Sequence, residues 1–131
     1  MIYLDANFFI LCNFDTGSRG ENARTLQLKI SKGTRAATSA LALDEVTWVL
    51  IKNRKMEVLR ETIEDIFAIQ NLSVLEVHGT DALDALDYVE KDRLKPRDAF
   101  HLAIMKSNKI NEIVSDDQDF DRVKGIKRIK L

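Results

Sequence analysis

The chain has little of what most binding and redox sites are built from. Its 131 residues include a single cysteine, Cys12, so no disulfide can form within it. With only two histidines besides, a site of thiolates and imidazoles of the kind that holds zinc is excluded. One proline and five glycines leave no material for a low-complexity linker, and no segment repeats. No apolar run reaches the length of a membrane span, and no basic segment with a long apolar stretch stands at the amino end. Those absences together lead us to expect a cytosolic protein without a membrane partner. A net charge of −1 means there is no global basic field of the sort that announces a nucleic-acid binder.

What is present is one domain's worth of core. Apolar residues make up 45% of the chain, enough to bury a single compact domain over residues 1–131. The segments alternate in type. Short apolar runs at Ile2 to Leu4, Arg35 to Thr38, Val74 to Val77 and Glu112 to Ser115 read as strands, and Ile126 to Leu131 as an edge strand. Between them, helical spacing marks Glu21 to Ser31, a helix capped by Ser39 and running to about Asn53, and Glu57 to Gln70. In the last of these, Val58, Leu59, Ile63, Ile66 and Phe67 form the apolar side. Thr80 opens a helix with Ala82, Ala85, Leu86 and Val89 on one face, and Pro96 suits the first turn of a helix running to about Ser107. Phe8 to Leu11 begins a helix or turn, and Thr16 to Gly20 is the most flexible stretch. Strands alternating with helices give an α/β fold, a parallel sheet flanked by helices, with ligands beyond the carboxyl ends of the strands.

The informative residues are acids in apolar company. An unpaired buried carboxylate costs several kcal/mol or takes up a proton. Asp5 ends the run Ile2-Tyr3-Leu4; a strand-end aspartate that caps the next helix would look the same, and Asn7 beside it is placed to orient Asp5 or a water. Glu45 sits among Leu41, Ala42, Trp48 and Val49, either as a helix-edge carboxylate packed on Trp48 or as a site residue. Asp98 lies in the first turn after Pro96, where it also suits the helix dipole, and shares a face with His101, Leu102 and Met105. His101 reads as a core residue that could bond Asp98 or a substrate. The loop from Ser115 holds Asp116, Asp117, Asp119 and Asp121, with Phe120 as its anchor; Asp117 is the first choice to face inward, and Asp116 and Asp119 are its substitutes. Asp84 and Asp87 read as solvated. Lys and Arg cluster elsewhere, at Arg93, Lys95 and Arg97 among other places, as ordinary solvated faces or as a basic rim for a polyanion, with Arg97 the candidate substrate contact. Carboxylates alone select a hard cation, Mg²⁺ or Mn²⁺, and such ions serve phosphoryl chemistry.

Four pieces, in order along nearly the whole chain, resemble the PIN-domain ribonucleases, including the VapC-like toxins of toxin–antitoxin pairs. They are Ile2-Tyr3-Leu4-Asp5-Ala6-Asn7, Thr38 to Val46 around Ser39 and Glu45, Pro96-Arg97-Asp98 through Ala103, and Ile113 to Phe120 around Ser115 and Asp117. The resemblance implies that Asp5, Glu45, Asp98 and Asp117 bind Mg²⁺ or Mn²⁺ and carry hydrolysis of an RNA phosphodiester, with Asn7, Ser39, His101 and Ser115 in support. It also implies a small antitoxin partner and a homodimer, for which the apolar side of the helix Glu57 to Gln70 is a candidate face. One departure is Ala6, where the family usually has Ser or Thr. Two other readings stay open. A haloacid-dehalogenase-like phosphatase would need an aspartate where Asn7 stands and a mid-chain lysine. A non-catalytic PIN domain would serve as an RNA-binding or assembly scaffold.

Overall fold

The computed structural model describes residues 1–131, and its five short strands form one parallel sheet. The strands are β1 (Ile2–Leu4), β2 (Ala36–Ser39), β3 (Leu72–Leu75), β4 (Glu112–Val114) and β5 (Lys127–Ile129), in the order β3-β2-β1-β4-β5. Six helices connect and cover them: α1 (Ala6–Phe14), α2 (Ser18–Ser31), α3 (Ala40–Lys52), α4 (Leu59–Ala68), α5 (Asp81–Asp92) and α6 (Pro96–Ser107). Short 3₁₀ turns occupy Met56–Val58 and Gln118–Arg122. No helix is long and apolar enough to cross a membrane.

Strand alternation divides the core into two halves. Leu4, Ala36 and Val114 point to one face and pack with Phe8, Phe9, Val46, Leu50 and Ile66 from α1, α3 and α4. Tyr3, Ala37 and Ile113 point to the other and pack with Ala85 of α5 and Leu102, Ala103 and Met105 of α6. The chain therefore winds outward from β1 in one direction and returns to β4 on its other side. Between β1 and β4 the winding reverses, and a crevice opens at their carboxyl ends.

Several sequence expectations shift at the element ends. The stretch from Thr16 to Gly20 is ordered by Asp15, whose Oδ2 accepts from the amides of Gly17 (3.1 Å) and Gly20 (2.7 Å), so α2 starts three residues early, at Ser18. The Glu57 to Gln70 helix is a 3₁₀ turn followed by the shorter α4, and its buried stripe is narrow: Thr62 and Ile66 are buried while Phe67, one position round, is 62% exposed. β3 lies two residues earlier than expected because parallel pairing with β2 sets Ala36 against Leu72 and Ser39 against Leu75. Asn71, with φ of 64°, makes the entry turn, and its side chain donates to the Ile30 carbonyl. The α5 face is rotated. Asp81 and Ala85 are buried while Leu86 is exposed, because Asp81 binds the His78 amide at 2.7 Å and the Ser107 hydroxyl of α6 at 3.2 Å.

Candidate active site

A cavity of about 260 Å³ opens at the β1–β4 reversal. Asp5, Asn7, Glu45, Asp98, His101, Ser115 and Asp117 all line it, with Ala6, Ile10, Val49 and Phe120 as its apolar wall. Four separate pieces of sequence thus deliver their carboxylates to one place.

Each carboxylate is positioned by local chemistry. Asp5 ends β1 in extended conformation and caps α1, accepting from the Phe8 amide at 3.2 Å. It caps the helix and lines the cavity at once, so the two readings of this residue are not exclusive. Burial raises its pKa, the Ser115 hydroxyl and the Phe8 amide oppose that rise, and the charge of Glu45 adds to it. Glu45 comes from α3, whose start is capped by the Ser39 hydroxyl accepting from the Ala42 amide at 3.2 Å. Trp48 is 54% exposed and does not enclose it. Asp98 is in the first turn of α6, with Pro96 at the start. Burial and then the neighbouring Asp117 push its pKa up to about 6.

Asp117 caps the 3₁₀ turn after β4, with its own amide donating to Ser115 Oγ at 3.1 Å and its Oδ1 accepting from the Asp119 amide at 2.9 Å. One carboxylate oxygen from each of Asp98, Asp117 and Asp119 lies within 4.8 Å of the other two. Asp119, although outside the cavity lining, joins this close triplet and also pairs with Arg122 at 3.4 Å. Asp5 and Glu45 line the same cavity but stand outside the triplet. Hard oxygen donors at this spacing fit a cation such as Mg²⁺ or Mn²⁺.

Three placements differ from expectation. Asp116 faces away from the cavity, held by the Asn7 side-chain amide at 2.7 Å and by Arg19. Asn7 therefore orients Asp116 rather than Asp5. His101 is buried and directs Nε2 to Glu45 Oε1, not to Asp98. Arg97 is exposed on α6 and does not line the cavity.

Tyr3 and Asp81 are buried with their polar groups engaged, and neither stood out in the sequence. Tyr3 is fully buried beneath the cavity, its hydroxyl 2.6 Å from Ser39 Oγ and 2.7 Å from His101 Nδ1. Burial pushes its phenol well above the usual range, so it stays protonated. The available signal was strand alternation, which puts a tyrosine on the same face as Asp5 two residues on. Asp81 is the other, 2% exposed and wholly used by His78 and Ser107. No lysine lines the cavity and position 7 is an amide, so the two parts that a haloacid-dehalogenase-like phosphatase requires are missing.

The chain is similar to known proteins over nearly its whole length. The PIN domain family model matches residues 2–126. The VapC ribonuclease Mb1869c of Mycobacterium bovis is 29% identical over 98% of this chain and 99% of its own length. Among solved structures, VapC20 of Mycobacterium tuberculosis, described as a sarcin-ricin loop cleaving toxin, superposes with a TM-score of 0.75 at 20% identity, covering 92% of this chain and 93% of that one. VapBC2 of Rickettsia felis, bound to a DNA fragment from its promoter, gives 0.74 at 17% identity, over 99% and 98% of the two chains.

Proposed function

The chain belongs to the PIN-domain family, and from that membership we propose that it is a divalent-metal-dependent endoribonuclease, the toxin of a toxin–antitoxin pair, built as one nuclease domain over residues 1–131. The observation that carries this reading is the convergence of Asp5, Glu45, Asp98 and Asp117 around one cavity at the sheet's reversal point. Four like charges gathered there are costly unless a cation is shared among them.

Asp98 and Asp117 would hold a divalent cation such as Mg²⁺ or Mn²⁺, with Asp119 close to both and Asp5 and Glu45 lining the same cavity. When bound, the cation supplies Lewis acidity for the phosphate and a water of lowered pKa. The protein's own part is to hold the acids. Phe8 fixes Asp5, His101 fixes Glu45, Pro96 starts the turn bearing Asp98, and Ser115 fixes the Asp117 backbone. Without the cation, burial and the neighbouring Asp117 raise the Asp98 pKa to about 6, so below that pH loading the site must displace a proton. The exposed Arg97, next to Asp98, suits the RNA backbone.

An antitoxin partner fits the relatives, several of which are toxin–antitoxin complexes. A homodimer is part of the same reading, and the exposed Trp48, Met56 and Phe67 supply apolar surface for protein contacts. The test is cleavage of single-stranded RNA by the purified protein with Mn²⁺ or Mg²⁺. EDTA should stop cleavage and Asp5→Asn should abolish it; cutting that persists in EDTA removes the metal from the mechanism.

A further inference from the structure

The buried contacts beneath the cavity form one continuous chain with a single workable polarity. The Ala42 amide donates to Ser39 Oγ, whose hydroxyl lies 2.6 Å from that of Tyr3; the Tyr3 hydroxyl lies 2.7 Å from His101 Nδ1; and His101 Nε2 meets Glu45 Oε1. With Nε2 as the donor to the Glu45 carboxylate oxygen, Nδ1 is the nitrogen left to meet Tyr3. If Nδ1 is then the acceptor, Tyr3 donates to it and Ser39 donates to Tyr3, and every hydrogen in the chain has a partner. The opposite polarity would send the Tyr3 hydrogen to Ser39 and leave the Ser39 hydrogen, at a fully buried residue, without an acceptor.

The chain joins the three elements that bear three of the site's four carboxylates. Tyr3 is on β1 two residues before Asp5, His101 is on α6 three residues after Asp98, and Ser39 caps the helix that carries Glu45. We propose that Tyr3 and His101 are positioning residues for the nuclease site. They hold Glu45 by Oε1 and so present its other oxygen, Oε2, to the cavity. Glu45 would then have one oxygen free to offer a cation in the cavity. This rests on the nuclease reading above and adds to it a residue, Tyr3, together with a specific geometry for Glu45.

The test uses the full-length protein in two arms. In the first, nitrogen NMR of the metal-free protein at neutral pH reads the His101 tautomer. The expected state carries hydrogen on Nε2 with Nδ1 accepting, and Tyr3→Phe should shift the Nδ1 signal. Nε2 without a hydrogen, or no response to Tyr3→Phe, overturns the proposal. In the second, Mn²⁺ affinity is measured by calorimetry beside RNA cleavage. His101→Leu should weaken Mn²⁺ binding by about 10–100-fold, as loss of a partner behind a metal ligand commonly does. His101→Gln retains an amide hydrogen for Glu45 and should recover part of that loss. Ser107→Ala, which strips a half-buried bond to Asp81 elsewhere, should leave Mn²⁺ affinity unchanged. Equal affinities for wild type, Leu and Gln variants, with wild type active, overturn the positioning role alone. A wild-type protein that neither binds Mn²⁺ nor cuts RNA overturns the nuclease reading and this inference with it.

Discussion

Asn7 donates its side-chain amide to Asp116 at 2.7 Å, and this contact separates the two members of the doubled aspartate. Asp116 is turned toward α1 and α2, where Arg19 also meets it, and Asp117 is left facing the cavity. Asp116→Asn should therefore leave RNA cleavage within about threefold of wild type, while Asp117→Asn should lower kcat by about 100-fold or more, the scale of losing a charge that acts on the transition state. Steady-state kinetics on both variants decides it. Equal losses would mean that Asp116 swings into the site.

Asp5→Asn, Glu45→Gln and Asp98→Asn should each lower kcat on a similar scale while circular dichroism and the melting profile stay those of a folded protein. Full activity in Asp98→Asn would remove that residue from the site. Because the substitutions relieve crowding of like charge, the metal-free variants should melt no lower than wild type at neutral pH.

Stability of the metal-free protein should fall as pH rises. Asp5 and Asp98 both have raised pKa values, Asp98 to about 6. Between the ordinary carboxylate value and that raised value, the folded state holds a proton that the unfolded state has lost, so each step up in pH favours unfolding. Below both values the effect vanishes. Asp121 works in the other direction, since Arg128 lowers its pKa, but its window lies below the ordinary carboxylate value. In EDTA the melting temperature should thus rise between about pH 7 and about pH 5, and Asp98→Asn should flatten the rise. A flat wild-type profile would show that the carboxylates are solvated. Added Mg²⁺ should raise the melting temperature more at the higher pH, where no proton competes.

Gly20→Ala tests the backbone that carries Arg19 and Asp15. A Cβ at this position would lie 2.2 Å from the Asp15 carbonyl oxygen, which is backbone and cannot move aside alone. The variant should lose about 1–3 kcal/mol in denaturant unfolding, the usual cost of overpacking. Gly79→Ala meets nothing within 4 Å and is the control.

Much of the protein was legible as sequence because its signals are local. Alternating apolar runs and helical spacing are properties of neighbouring residues, and so are the caps at Ser39 and Pro96; they gave an α/β chain with its strands in nearly the right places. Cysteine and histidine are too scarce for a thiolate or imidazole site, and that scarcity left carboxylates and a hard cation. The four acids stood out because each interrupts apolar sequence, where ionised oxygen is expensive.

What lay beyond reach depends on partners far apart in the chain. The order of the strands, and with it the crevice between β1 and β4, follows from packing both faces of the sheet. Asp117 is the first choice from sequence to face inward, but what holds Asp116 aside, the amide of Asn7, is more than a hundred residues away. Tyr3 reads as an ordinary strand residue until the fold brings Ser39 and His101 to its hydroxyl. Sequence showed which carboxylates are costly to bury, because that cost belongs to the residue and its neighbours. Only the tertiary structure decided which of them share one cavity and which way each points, because hydrogen-bond direction is set by groups that folding brings together.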